Sequence, residues 1–78
     1  MKASERLDKC YDTIGEIAKE NKNFYDTNGL WSSFELLFEE CKKRIKGLKQ
    51  IEFDAALEIE NDEYSPEVKK FLKRIKYI

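Results

Sequence analysis

The chain of 78 residues contains no histidine, one proline, three glycines, two cysteines and one glutamine, Gln50. The missing histidine removes the commonest general base, the commonest zinc ligand and the usual pH switch together. With two cysteines and no histidine, a four-ligand structural zinc site is not expected. No apolar run exceeds three residues (Leu36-Leu37-Phe38 is typical), which excludes a membrane-spanning helix of ~20 apolar residues. The opening residues Met1 to Arg6 hold no apolar core segment, so no signal peptide is expected. These features predict a cytoplasmic protein that binds no membrane.

Charge, by contrast, is abundant. Charged residues make up 40% of the chain, against roughly a quarter in ordinary domains, yet the net charge is −1. Low net charge and 13% aromatic residues argue against disorder. A chain of this length buries only about 60–65% of its unfolded surface, which leaves a thin margin of stability. Chains of this size often gain stability from partner subunits, and a homodimer is expected here. Glu and Lys together number 23. That bias points either to a thermophile or to an AT-rich bacterial, phage or viral genome.

Periodicity predicts one all-α domain over residues 1–78, a small helical bundle. Leu7, Cys10, Tyr11, Ile14, Ile17 and Ala18 recur at helical spacing over 4–22, with Ser4 as the expected N-cap. Gly15 interrupts this stripe, either tolerated there or placed for close approach of another helix. Asn28-Gly29 marks a turn. Ser32 and Glu35 then fit a capping box, and Trp31 and Leu36 a hydrophobic staple. A second helix follows, carrying Phe34, Leu37, Phe38, Cys41, Ile45 and Leu48 on its apolar face. The two helices are expected to form a hairpin over 4–49.

Residues 51–60 are ambiguous. Ile51, Phe53, Ala55, Leu57 and Ile59 alternate with mostly acidic residues, a period of two that suits a strand. The residues are nevertheless good helix formers, and no neighbouring strand exists for pairing. Helix is the expected state, with an intermolecular strand over 51–59 as the competing reading and Gly47 as a candidate kink. Ser65-Pro66-Glu67 opens a last amphipathic helix: N-cap serine, proline at the first helical position, then an acid. Val68, Phe71, Leu72, Ile75 and Ile78 form its apolar stripe.

Charge falls in blocks. Residues 42–49 carry five cations and no anion, residues 52–67 seven anions and no cation, and residues 68–78 five cations and no anion. Blocks of alternating sign are expected to pair as the chain folds back or dimerises. Cys10 and Cys41 lie on apolar faces; an antiparallel hairpin would hold them too far apart to bond, so buried reduced thiols are expected.

No arrangement favours catalysis. Ser4, Ser32 and Ser65 are each explained as caps, and neither cysteine has a histidine to activate it. The helical acids Glu35, Glu39, Glu40, Glu58, Glu60 and Glu63 leave a Mg²⁺-dependent nucleotide hydrolase as a distant third reading. The leading expectation is a non-enzymatic, cofactor-free protein-binding module, a small adaptor or regulator of viral, phage or prokaryotic origin. Its partner-binding residues would be Trp31, Phe24 and Tyr25, with the outer face of the last helix second. The alternative is a nucleic-acid-associated protein using Lys69, Lys70, Lys73, Arg74 and Lys76 on phosphates. Against it stand a sequence pI of 5.5 and only three arginines among fifteen cations. No stretch matches a known family closely enough to carry an inference.

Overall fold

A computed structural model describes residues 2–20, 34–59 and 62–78. They form four helices: α1 (Ala3–Glu20), α2 (Phe34–Arg44), α3 (Gln50–Ile59) and α4 (Pro66–Arg74). No strand occurs among the described residues. The all-α small bundle expected from periodicity is what the chain forms. None of these helices is long and apolar enough to cross a membrane.

α1 starts one residue earlier than its expected cap. The Arg6 N–H donates to the Lys2 carbonyl at 3.0 Å, so Ser4 lies inside the first turn and does not cap it. Leu7, Cys10, Thr13 and Ile17 are buried, at spacings of three and four. Tyr11, expected on that face, lies at its edge and is 40% exposed. A Cβ at Gly15 would meet nothing within 4 Å, so no helix approaches there and the glycine is merely tolerated.

α2 buries Leu37 and Cys41, and half-buries Phe38 against Phe53 with ring centroids 5.0 Å apart. It stops at Arg44, sooner than its apolar pattern suggested. Gly47, at φ +82°, turns the chain in a left-handed conformation that favours glycine. Ile45 and Leu48 still reach the core, but from the connecting turn. Ser32 and Trp31, the expected capping-box and staple residues, lie outside the described residues.

α3 settles the ambiguous segment as helix, and the strand reading is corrected. Every residue from Ile51 to Ile59 is buried or half-buried. A helix enclosed on most sides has no long exposed stripe, so its 3.6-residue period is faint and a chance period of two stands out. α3 is also the hub. α1 packs most extensively on α3, α4 packs on α3 too, and the α1–α2 contact is smaller. The expected α1/α2 hairpin is therefore secondary to an α1/α3 pairing, with Ala55 and Ala56 buried among the core side chains.

α4 follows its sequence signals closely. The Ser65 hydroxyl accepts from the Val68 N–H at 3.4 Å, and Pro66 occupies the first turn. The same hydroxyl donates to Glu58 at 3.2 Å, and the Ser65 N–H donates to the other Glu58 oxygen, which fastens the start of α4 to α3. At the far end the Tyr77 N–H donates to Leu72 and the Lys76 N–H to Lys73, with Lys76 at φ +59°. That is a Schellman stop with lysine in the left-handed position where glycine is usual. The Tyr77 hydroxyl donates to Asp8 at 3.0 Å, tying the end of the chain to α1.

Candidate functional site

α4 is amphipathic because Val68, Phe71 and Leu72 turn inward. The intervening Lys69, Lys70, Lys73 and Arg74 must then face outward, and Lys76 follows just past the helix. All five are exposed. The five sequence-predicted phosphate-binding residues thus lie exposed on, or just past, this one helix. Phe24, Tyr25 and Trp31, the expected partner-binding aromatics, lie outside the described residues. Beside that segment Phe34 and Leu36 are 55% and 60% exposed.

The two basic helices differ in what surrounds them. On α2, Lys42 pairs with Glu39 at 3.0 Å and Lys43 with Glu40 at 3.6 Å. Arg44 reaches Glu20 at 3.0 Å, Glu40 at 3.4 Å and Glu16 at 4.0 Å. On α4, none of Lys69, Lys70, Lys73 and Lys76 has a carboxylate at ion-pair distance among the described residues. Within one copy of the chain, and among the described residues, the acidic block 52–67 makes no ion pair with the basic segments on either side of it. The α2 cations are met by acids of α1 and α2, because α3 packs its own surface against α1 and α4.

Two shallow concavities flank Lys70. One, of about 350 Å³, is lined by Pro66, Glu67, Lys69, Lys70 and Lys73. The other, of about 370 Å³, lies between α3 and α4 and is lined by Ile51, Glu67, Lys70, Phe71 and Arg74. The Arg74 guanidinium stands over the Phe71 ring, 5.6 Å from its centroid. Sequence reasoning passed over Ile51 and Glu67 as members of this surface. Glu67 already had a role in the first turn of α4, and Ile51 comes from a helix whose placement is not local information.

The buried polar groups serve the fold. Glu52, with a side chain 1% exposed, accepts from Arg6 Nε at 2.8 Å and Nη2 at 2.8 Å, and from the Lys49 N–H at 2.9 Å. It is thereby both the ion-pair partner of α1 and the reciprocal half of a capping box at the start of α3. Burial alone would raise its carboxyl, but the Arg6 hydrogen bonds, the Lys49 N–H and the nearby positive charge more than reverse this, so Glu52 titrates below the usual carboxylate range.

Cys10 and Cys41 are free, fully buried thiols, as expected. They face each other across the α1–α2 contact. The hydrogen bond with Cys41 and then burial push the Cys10 thiol far above its ordinary value. Among the helical acids, Glu39 and Glu40 are engaged by lysines and Arg44, and Glu58 by Ser65. No three acidic or thiol side chains converge among the described residues as a metal site would require. No family model, curated protein or solved structure matches this chain.

Proposed function

We propose that the chain is a non-enzymatic interaction module, a small adaptor or regulator that docks a protein partner on the outer face of α4. The observation that carries this reading is the contrast between its two basic helices. Cations on α2 are neutralised at home, whereas those on α4 stand in like-charged pairs at helical spacing: 69 with 73, 70 with 73, and 70 with 74. Each such pair costs a helix roughly 0.2–0.5 kcal/mol. An anionic partner relieves that repulsion on binding, and its charge pattern fixes register and excludes wrong partners. Two free thiols suit a reducing compartment such as the cytoplasm. The exposed Phe34 and Leu36 at the start of α2 favour self-association.

The same lysines support a second reading, contact with a nucleic-acid backbone. Two features make it the weaker one. Arg6 and Arg44 are held by Glu52 and by the acids of α1 and α2, which leaves Arg74 as the one arginine on this face. Glu67 lines both concavities, where an unbroken row of backbone phosphates has to pass it, whereas a peptide can set a neutral residue there. Parallel titrations with labelled polyglutamate and with duplex and single-stranded nucleic acid, at low and high salt, test the choice. Polyglutamate should bind in a salt-dependent way and be lost on the triple reversal Lys69→Glu, Lys70→Glu, Lys73→Glu. Tighter retention of nucleic acid than of polyglutamate would replace this reading with the second one, and binding of neither would remove both.

A further inference from the structure

We infer that the groove between α3 and α4 accepts one apolar side chain of an acidic peptide segment, whose flanking carboxylates pair with Lys70 and Arg74. This rests on the reading of α4 as a docking face and supplies the chemistry of its partner.

The groove has a hydrocarbon floor and a cationic rim. Ile51 of α3 and Phe71 of α4 form the floor, with Phe71 left 5% exposed and Ile51 half-buried. Its volume of about 370 Å³ is at the small end of ligand pockets, ~300–1,000 Å³, and gives room for one large apolar side chain. Lys70 and Arg74 are four residues apart on α4, a rise of about 6 Å. Carboxylates four apart on a partner helix have the same spacing, and carboxylates two apart on an extended segment, at about 6.6–6.8 Å, nearly so. Arg74 is already held over Phe71, so its guanidinium fork is positioned beside the floor and loses little freedom on accepting a carboxylate.

A duplex suits this groove poorly, since phosphates have nothing to place on an apolar floor and meet Glu67 at its end. A peptide carrying an apolar residue between two acids satisfies floor and rim together, and Glu67 then limits how far its acidic stretch extends in that direction.

The test uses the full chain and fluorescein-labelled peptides of about a dozen residues, acidic with one central leucine, and the matched peptide with serine there. Anisotropy titrations are run at about 50 mM and about 200 mM salt, with a labelled DNA duplex as comparison. The leucine peptide should bind at least tenfold more tightly than the serine peptide, as expected for burying that side chain. Lys70→Glu and Arg74→Glu, both at exposed positions, should each weaken it severalfold with the circular dichroism spectrum unchanged. Ile51→Ser should weaken the leucine peptide while leaving the serine peptide unaffected, which separates lost floor from lost fold. Equal binding of the two peptides would overturn the groove proposal and leave the charged docking face standing. Binding of neither peptide would overturn both, and a duplex bound more tightly than the leucine peptide would overturn the proposal in favour of phosphate recognition.

Discussion

Replacing Arg6 with alanine removes three of the four hydrogen bonds that hold the Glu52 carboxylate, at 2.8–3.0 Å, and leaves the one from the Lys49 N–H. Glu52 is fully buried in the native fold, and water entering from the side that the 16%-exposed Arg6 vacates replaces its charged hydrogen bonds only in part. Two outcomes remain for the orphaned group. It keeps its charge, at roughly 3–5 kcal/mol for a buried ion stripped of its partner, or it binds a proton. Protonating a carboxyl of ordinary pKa, about 4.3, costs about 3.7 kcal/mol at pH 7. The cheaper route sets the loss, so Arg6→Ala should cost about 3 kcal/mol at pH 7, on the order of 15 °C in Tm for a domain of this size.

The pH dependence has a definite sign. Wild-type Glu52 titrates below its unfolded value, so its contribution is present above about pH 4.3 and is lost as pH falls through the folded value. In the variant the folded carboxyl is raised, so stability is lost as pH rises. The gap between the two proteins should therefore narrow as pH falls from 7 towards 4. Glu52→Gln keeps an oxygen for the Lys49 N–H and leaves Arg6, with a side chain 16% exposed, able to reach water. Its cost should be smaller, about 1–2 kcal/mol. Urea unfolding followed by far-UV circular dichroism at about pH 7 and about pH 4 measures all of this. A deficit for Arg6→Ala below about 1 kcal/mol at pH 7, or one of equal size at both pH values, would refute the reasoning.

Five further expectations concern backbone and core. Gly15→Ala should stabilise the fold by about 0.5–1 kcal/mol, since the new methyl meets nothing, whereas Gly47→Ala should destabilise it by about 1 kcal/mol because of its positive φ; thermal melts distinguish the two. Ser65→Ala should lower stability by about 1 kcal/mol in the same assay through loss of the cap on α4. Lys76→Gly should raise Tm by several degrees, as glycine occupies the left-handed stop of α4 without the side-chain penalty. Cys10 and Cys41 should resist a thiol reagent in the native protein and both react in denaturant; fast native labelling would contradict their burial.

The α4 boundaries were written locally: a serine cap, a proline that can only begin a helix, and an apolar stripe bounded by lysines. Ser65 bonds to Val68 as that pattern requires. The apolar faces of α1 and α2 were legible for the same reason, although Thr13 displaced Tyr11 from the core and Gly47 ended α2 early. α3 was only half legible, since its burial on most sides erases the polar face that marks a helix.

The sequence by itself determined that the chain is helical, that it lacks histidine chemistry, and that its lysines crowd the last helix. The Lys42–Glu39 and Lys43–Glu40 pairs are local to α2, three residues apart, but what would meet Arg44 and the α4 cations was decided only in three dimensions. Ion pairing depends on what lies within about 4 Å, and the packing of α1 against α2 brought Glu16 and Glu20 to Arg44, while no carboxylate among the described residues came within that distance of the α4 lysines. The packing of α1 on α3 joined Arg6 to Glu52, residues 46 positions apart, and that of α4 on α3 set Ile51 beside Phe71. Contacts across such separations have no sequence period, because they follow from how whole helices pack and not from how one helix turns.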